Sequence, residues 1–222
     1  MGHEVVIFDL DGTLLDTIKD LGEAVNHSLS LRSLPLHSPE EYVPMVGHGI
    51  RNLVINSLPP QYKEDGPFID RALADFREYY SSHIDVHTRP YPGMKELVST
   101  ISSAGIALAV ASNKFQAGAE HLIHEFFPGT DWLEILGNRP EAPLKPDAAI
   151  IRQIMESYGR KEAKAIMVGD SATDIRTAKN GGITSVGVTW GYRPEADLSS
   201  ADFIAHTPKE LEKILLFNDK KQ

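Results

Sequence analysis

Short apolar runs alternate along the chain with longer stretches in which apolar residues recur at helical spacing. The runs are rich in Val, Ile and Ala and predict buried strands at residues 5–8, 106–111, 165–168 and 183–188, with a weaker one at 133–136. Helical patterns lie between them at residues 93–103, 115–127, 147–158 and 172–180. Nearly continuous apolar strands that alternate with helices are typical of a parallel sheet covered on both faces. The pattern therefore predicts an α/β core with a Rossmann-like parallel sheet, whose strand C-termini share one edge.

Residues 17–88 interrupt this alternation. They contain helical patterns at 17–31, 47–58 and 67–82, several prolines and no convincing strand pattern. We expect a small α-helical cap at 17–88, inserted after the first strand, and a catalytic core made of residues 1–16 and 89–222. Inserts at the strand ends of an α/β sheet commonly cover the ligand site.

Composition narrows the class of protein. The 222 residues carry a formal net charge of -9 and include no cysteine. An acidic surface repels polyanions, so we expect neither nucleic acid nor a membrane as partner. The lack of cysteine excludes disulfides, Cys-zinc sites and thiol nucleophiles. Because the first residues show no leader pattern and no apolar run approaches the roughly 20 residues that span a bilayer, we expect a cytoplasmic protein.

Two carboxylates follow the first predicted strand. Asp9 and Asp11 are two positions apart in an extended segment, so their side chains can point to the same side. Acids this close repel each other unless a cation lies between them or one keeps a proton. One interpretation is a nucleophilic Asp9 beside an acid/base Asp11, with Mg²⁺ balancing the charge. The alternative is an ordinary polar turn at Gly12, which this short motif alone favours.

A second pair of acids, Asp170 and Asp174, follows the strand predicted at 165–168. Mg²⁺ prefers hard oxygen ligands, so one or two such carboxylates suit it. The alternative is a helix N-terminus, where the helix dipole favours acids. In combination with Asp9 and Asp11 at another strand end, this pair favours a metal site.

Residues at two further element boundaries could bind an anion. Ser112 and Asn113 follow the strand predicted at 106–111, where a hydroxyl and backbone N–H groups meet the start of the next helix. Lys145 precedes a predicted helix and could neutralise both a phosphoryl group and the Asp9 carboxylate. Taken singly, a helix cap and a solvated loop lysine are the commoner explanations. Four weak signals in chain order, each at a strand end, form a strong signal together.

Four motifs resemble, in order, those of the haloacid dehalogenase superfamily of phosphatases. They read FDLDGTLLDT, ASNK, LKPD and GDSATDIRTAKNGGITSVGVTWGY. The segments DLGEAVN, VGHGIRNLV and YPGM are similar to those of the phosphoglycolate phosphatase group within that superfamily. The resemblance covers nearly the whole chain and implies a core of the haloacid dehalogenase type, with the helical insert as its cap.

The resemblance also implies roles for the motif residues. Asp9 would attack the phosphoryl group and form an aspartyl-phosphate, while Asp11 would act as general acid and then as general base. The implied Mg²⁺ cofactor would be held by Asp9, the backbone carbonyl of Asp11 and Asp170, with Asp174 bracing these ligands. The implied groups that bind phosphoryl oxygens are Ser112, the Asn113 backbone and the catalytic Lys145.

Substrate choice is expected to depend on the cap, because the core handles only the phosphoryl group. Arg51 and His48 are the candidate specificity residues, since a guanidinium can pair with a carboxylate or a second phosphate. Lys114 is a weaker candidate. For each of them, an exposed side chain without a ligand is the alternative. The last residues, 218–222, predict a frayed end.

The expected activity is Mg²⁺-dependent hydrolysis of a small phosphomonoester, with 2-phosphoglycolate as the leading substrate. The first alternative is a pyrophosphatase, nucleotidase or sugar-phosphate phosphatase on the same scaffold. The second is a phosphate-binding regulatory module without catalysis. The expected partner is a small phosphorylated metabolite, and the chain is expected to be a monomer or a homodimer.

Overall fold

Six parallel strands build the central sheet of the computed structural model, which describes residues 2–160 and 163–217. In chain order the strands are β1 (Val5–Phe8), β2 (Leu15–Asp16), β3 (Arg89–Pro90), β4 (Ala107–Phe115), β5 (Trp132–Asn138), β6 (Ala165–Gly169), β7 (Thr184–Val188) and β8 (Phe203–Ala205). The helices are α1 (Ile18–Ser30), α2 (Pro39–Tyr42), α3 (Ile50–Ser57), α4 (Gly66–His83), α5 (Met94–Ser103), α6 (Gln116–Phe126), α7 (Ala149–Tyr158), α8 (Ala172–Asn180) and α9 (Pro208–Phe217). The order across the central sheet is β5-β4-β1-β6-β7-β8. The frayed end predicted at 218–222 lies outside the described residues.

The sheet is buried on both faces because its inner strands are apolar at almost every position. In β1, Val6 and Phe8 pack into the layer that contains α5, α6 and α9, whereas Val5 and Ile7 pack into the layer that contains α7 and α8. All four side chains are fully buried. The predicted α/β architecture with a Rossmann-like parallel sheet is therefore confirmed.

Several strands differ from the prediction by a few residues, and the short β2 and β3 were not predicted. β4 continues past residue 111 to Phe115, so Ser112 and Asn113 lie in its last part and not after it. The pairing of β4 with β5 shifts register between Ala111 and Phe115, which marks this end of the strand as irregular. The sequence pattern also misses β8, because three residues are too few to show an apolar run.

Residues 17–88, all of which the structure describes, contain α1 to α4 and no strand. α1 packs against α4, where the Ser28 hydroxyl donates to the Ala72 carbonyl oxygen at 2.8 Å. Tyr42 and Phe76 are fully buried in an apolar cluster that continues into the layer of α5 and α6. The helical segment and the sheet thus share one apolar core. Within the described part of the chain, no helix is both long and apolar enough to cross a bilayer.

The two connections between the helical segment and the sheet pair with each other. β2 and β3 form an antiparallel ribbon in which Asp16 faces Arg89. Next to this ribbon, the buried Asp20 carboxylate accepts hydrogen bonds from the N–H of His87 at 2.9 and 3.0 Å. It also accepts from the N–H and the hydroxyl of Thr88, at 2.8 and 2.7 Å. Both ends of the helical segment are therefore held at one place.

Candidate active site

The first predicted acid lies at the carboxyl end of β1, beneath the helical segment. Asp9 directly follows β1, and its N–H donates to the Val168 carbonyl oxygen of β6 at 2.9 Å. Gly12 then turns the chain with a φ of +89°. A Cβ at this position would lie 2.5 Å from Oδ2 of Asp170, so only glycine lets the loop come this close to that carboxylate. The turn therefore brings the acids of β1 and β6 together.

Lys145 is the buried cation among these acids. Its Nζ lies 2.8 Å from Oδ1 of Asp9 and 2.6 Å from Oδ1 of Asp174. The backbone N–H of Lys145 donates to Oδ1 of Asn113 at 2.9 Å, and Nδ2 of Asn113 donates to the Lys145 carbonyl oxygen at 3.2 Å. The Asn113 side chain thus positions the Lys145 backbone, whereas the motif pointed to the backbone of Asn113 alone.

Asp170 and Asp174 complete the acidic group. Oδ2 of Asp174, in the first turn of α8, accepts from the N–H of Ser171 at 3.1 Å and from its hydroxyl at 2.6 Å. Oδ2 of Asp170 accepts from the N–H of Tyr192 at 2.7 Å. Carboxylate oxygens of Asp9, Asp170 and Asp174 lie within 4.8 Å of one another. The structure therefore brings three of the predicted acids to one point.

Three buried carboxylates around one ammonium group leave an excess of negative charge. Burial raises the pKa of Asp9 well above its usual value, and repulsion from Asp174 adds to this, while Lys145 opposes it. Burial, followed by repulsion from Asp174, raises the pKa of Asp170 to about 7. The site needs a further cation if all its carboxylates are to be ionised at neutral pH.

The acidic group fits a divalent cation such as Mg²⁺, which takes oxygen ligands. Among the described residues, no hydrogen bond reaches Oδ2 of Asp9 or Oδ1 of Asp170, so both oxygens are open to a metal. Both oxygens of Asp174 are engaged by Lys145 and Ser171, which suits a bracing residue. The Asp11 carboxylate lies outside this group, and the expected metal contact of its backbone carbonyl stays a prediction.

Asp11 contacts a second lysine. Its Oδ1 accepts from the Thr17 hydroxyl at 2.7 Å and from Nζ of Lys114 at 3.0 Å. The same Nζ donates to the hydroxyl of Tyr80, on α4, at 2.7 Å. Burial lowers the pKa of Lys114, but attraction to Asp11 and Tyr80 outweighs this effect and leaves the pKa above its usual value. Lys114 is therefore a buried positive charge beside the expected acid/base.

A cavity of about 50 Å³ lies over these groups. We call its sheet side the floor, formed by Asp9, Asp11, Ser112, Asn113, Lys114, Lys145, Asp170, Ser171, Thr173 and Asp174. We call its helical side the roof, formed by Leu21, Val46, Gly47, Gly49, Ile50 and Leu53. Nδ2 of Asn113 donates to the Gly47 carbonyl oxygen at 3.0 Å, and the Arg193 guanidinium donates to that of Val46. These hydrogen bonds join the floor side to the roof.

Comparison with known proteins identifies the family. The model of the haloacid dehalogenase-like hydrolases matches residues 6–188. The chain belongs to this family. A phosphoglycolate phosphatase of Mesorhizobium japonicum is 36% identical over 193 residues, which cover 86% of this chain and 85% of that protein. Another, of Agrobacterium fabrum, is 34% identical over 218 residues, which cover 95% and 94%.

Solved structures agree with this assignment. A Lactobacillus delbrueckii subsp. bulgaricus protein, provisionally named phosphoglycolate phosphatase, superimposes with a TM-score of 0.90 at 28% identity, covering 98% of this chain and 100% of its own. A haloacid dehalogenase-like hydrolase of Streptococcus pneumoniae gives a TM-score of 0.82 at 25% identity, covering 94% and 96%. The family resemblance and the prediction of an enzyme, a phosphoric monoester hydrolase, are therefore confirmed.

The candidate specificity residues of this hydrolase lie away from the cavity. His48 and Arg51 line a separate groove together with Asp70 and Arg77. NH1 of Arg51 donates to Oδ1 of Asp70 at 2.6 Å, and the two side chains are 51% and 65% exposed. The roof is formed by their neighbours in the same loop and helix, such as Ile50. A specificity role for His48 and Arg51 stays a prediction, and the structure brings neither of them to Asp9.

Several residues outside the predicted set contact the site, among them Tyr192, Thr17 and Arg193. The Tyr192 hydroxyl accepts from the N–H of Thr17 at 2.6 Å, while the Tyr192 N–H holds Asp170. Arg193 follows in the same loop and donates to the roof. Tyr192 ends the fourth motif, so its place after β7, at the edge where the other strands end, was a usable signal. Thr17 likewise ends the first motif, whereas Arg193 offered no signal beyond proximity to the fourth motif.

Proposed function

We propose that the chain is a Mg²⁺-dependent phosphatase that acts through an aspartyl-phosphate on Asp9, with 2-phosphoglycolate as its substrate. The observation that carries the proposal is how the floor groups Asp9, Lys145 and Asp11 in one cavity. There, Asp9 has one oxygen open to a metal, Lys145 lies 2.8 Å from its other oxygen, and Asp11 lines the same cavity. Phosphoryl transfer depends mainly on in-line positioning and charge neutralisation. The floor provides groups for both.

The chemistry takes two steps. In the first, an oxygen of Asp9 attacks phosphorus, the bond from phosphorus to the ester oxygen breaks, and protonated Asp11 donates its proton to the leaving alkoxide. In the second, ionised Asp11 removes a proton from water, and the water oxygen attacks phosphorus. The bond between Asp9 and phosphorus then breaks, which releases inorganic phosphate and restores the carboxylate. Ser112 and Lys145 hold phosphoryl oxygens in both steps.

Asp9 and Asp170 would hold the metal, and Asp174 would brace the floor through Lys145 and Ser171. When bound, Mg²⁺ supplies positive charge that offsets the phosphoryl oxygens and the carboxylates. The fit rests on the open oxygens of Asp9 and Asp170 and on the presence of three buried carboxylates around the single ammonium group of Lys145.

The substrate is proposed from relatives and from the cavity. The two relatives above, at 36% and 34% identity, bear the name phosphoglycolate phosphatase. The small size of the cavity favours a small ester over a nucleotide. The side chains of the roof are apolar and offer no partner to sugar hydroxyls. We therefore propose a small phosphorylated metabolite as the partner, while a cytoplasmic location and a monomeric or homodimeric state stay predictions.

Release of inorganic phosphate from 2-phosphoglycolate, with and without Mg²⁺, tests this function. We expect turnover only with the metal, and Asp9→Asn should lower kcat by about 10⁴-fold or more because an amide cannot act as the nucleophile. Asp131→Asn, the same change at an exposed aspartate, is the matched control and should keep the wild-type rate. A wild type without Mg²⁺-dependent turnover, or an active and folded Asp9→Asn, would refute the proposal.

A further inference from the structure

Lys114 is a buried cation at the cavity that the proposed mechanism does not use. Its side chain is 1% exposed, and its Nζ donates to Oδ1 of Asp11 and to the hydroxyl of Tyr80. An ammonium group has three N–H donors, and the described residues accept two of them. One donor of Lys114 therefore has no acceptor among the described residues, and Lys114 is one of the residues that line the cavity.

The position of Lys114 next to Asp11 determines which group of a bound substrate its third N–H can contact. Asp11 protonates the ester oxygen in the proposed mechanism, so the leaving alcohol lies beside it. In 2-phosphoglycolate a single CH₂ group separates the ester oxygen from the carboxylate, which places the two within roughly 3 Å of each other. An ammonium group 3.0 Å from the Asp11 carboxylate is thus within reach of the substrate carboxylate.

Other groups around the cavity are less suited to this task. Arg193 also lines the cavity, but its NH2 donates to the carbonyl oxygens of Pro44 and Val46, and no hydrogen bond or ion pair joins it to Asp11 among the described residues. Lys145 is committed to the acidic group and to the phosphoryl oxygens. Among the described residues, Lys114 is the cation at the cavity that contacts Asp11.

Tyr80 holds Lys114 from behind. It is fully buried in α4, stacks on Phe76 with ring centroids 5.2 Å apart and meets the edge of Phe115 at 6.1 Å. Tyr80 does not line the cavity, so its hydroxyl acts on the amine and not on the substrate. The helical segment thereby determines where a lysine of the sheet places its charge.

We propose that Lys114 determines specificity by binding a carboxylate on the leaving alcohol, and that Tyr80 is its positioning residue. The inference rests on the proposed phosphatase function and narrows it to phosphate esters of 2-hydroxy acids. An ester with a neutral group at the same carbon would give Lys114 no second anion to bind, and one with a cationic group would be repelled by it.

Three two-carbon esters test the proposal: 2-phosphoglycolate, ethyl phosphate and O-phosphoethanolamine, which place an anion, no charge and a cation beside the ester. The wild type should prefer them in that order. Lys114→Met should lower kcat/KM for 2-phosphoglycolate about 100-fold, mainly through KM, and should lower that for ethyl phosphate by less than about 10-fold. Lys95→Met, at an exposed lysine of α5, is the matched control and should preserve the order.

Two outcomes would overturn the assignment. Equal losses on all three esters, carried by kcat, would mean that Lys114 only supports Asp11. A preference erased by Arg193→Gln but kept in Lys114→Met would assign carboxylate binding to Arg193. Tyr80→Phe keeps the ring packing and should raise KM for 2-phosphoglycolate about 5-fold with a smaller change in kcat, as a positioning role requires.

Binding separates this inference from the proposed function. Calorimetric titration of Asp9→Asn with 2-phosphoglycolate and with ethyl phosphate needs no turnover, and adding Lys114→Met should weaken the first ligand about 100-fold while changing the second much less. If the wild type hydrolyses none of the esters but this binding pattern holds, the hydrolysis proposal fails and the Lys114 assignment stands. If the wild type hydrolyses 2-phosphoglycolate but this binding pattern is absent, the hydrolysis proposal stands and the Lys114 assignment fails.

Discussion

The floor and the roof of the cavity differ in the kind of contact they make. The floor is a network of charges in which Lys145 links Asp9 to Asp174 through distances of 2.8 and 2.6 Å. The roof offers apolar side chains such as Leu21 and Ile50 and takes part in hydrogen bonds through backbone carbonyls. A fixed charged network suits the phosphoryl group that every substrate shares, whereas an apolar cover excludes water. On the proposed function, reaction type belongs to the floor, and on the Lys114 proposal substrate choice belongs to the border between the two, by which we mean Lys114 of the floor and Tyr80 of α4.

Among the variants that test this comparison, Lys145→Met should produce the largest effect, because it breaks the floor and leaves the roof intact. We expect kcat to fall about 10³-fold and the free energy of unfolding to fall by about 3 kcal/mol, since Asp9 and Asp174 lose the ammonium that compensates them. Phosphate release and urea unfolding measure the two quantities. Lys179→Met, at an exposed lysine of α8, is the control and should match the wild type in both. A Lys145→Met enzyme with normal kcat would break the description of the floor as a charged network.

Metal and pH should act together on the floor, with an intermediate effect. Because the pKa of Asp170 is raised to about 7, the folded chain keeps a proton that the unfolded chain loses above its ordinary value of 3.8. This carboxyl therefore costs stability as pH rises from about 4 to about 7 in metal-free protein. We expect Asp170→Asn to raise the Tm of the metal-free protein by a few degrees at about pH 8 and to leave it unchanged at about pH 4.

Mg²⁺ should reverse that cost. We expect it to raise the wild-type Tm more at about pH 8 than at about pH 5.5, because the metal competes with the proton on Asp170, and chelation should remove the gain. Asp170→Asn should gain little at either pH. Differential scanning calorimetry checks these shifts, and a gain equal in both proteins would place the metal elsewhere.

Arg51→Ala should give the smallest effect, because its ion pair with Asp70 lies on the surface away from the border. We expect kcat/KM to change less than about 3-fold and by the same factor for 2-phosphoglycolate and ethyl phosphate, and stability to change by less than about 1 kcal/mol. A loss confined to 2-phosphoglycolate would restore the sequence-based hypothesis that Arg51 recognises a carboxylate. That result would also move substrate choice from the border to the outer surface of the helical segment.

The placement of the floor residues is predictable from the sequence because each follows a recognisable boundary. Asp9 and Asp170 come directly after buried apolar runs, and parallel strands bring such ends to one edge. Proximity follows from this topology, although the individual contacts do not. That both oxygens of Asp174 are engaged, or that the Asn113 side chain carries the Lys145 backbone, depends on rotamers that no pattern of polarity encodes.

The border and the roof are less predictable for physical reasons. Lys114 is buried, which is rare for lysine, and its partner Tyr80 lies 34 positions away in a helix that pattern alone does not orient. In the loop before α3, His48 is the residue whose side chain could bind or react, yet Gly49 and the first residue of α3, Ile50, are the ones that line the cavity. Gly49 has a φ of +80°, and this turn determines which neighbours face inward. Polarity marks residues that can react, whereas backbone turns decide which of them reach the substrate.

The β2–β3 ribbon has a consequence for how such enzymes can diversify. Asp16 and Arg89 face each other in the ribbon, so the chain enters and leaves the helical segment at the same place. The helical segment is therefore attached to the sheet in the way that a loop is attached to the two strands of a hairpin. Loop length therefore has little bearing on the strands on either side, since closure is already complete at the ribbon. A segment of another size or fold could be exchanged at this hairpin while Asp9 and Asp170 keep their places. Such an exchange would remove Tyr80 and change how Lys114 is positioned, while the acids of the floor would stay in place.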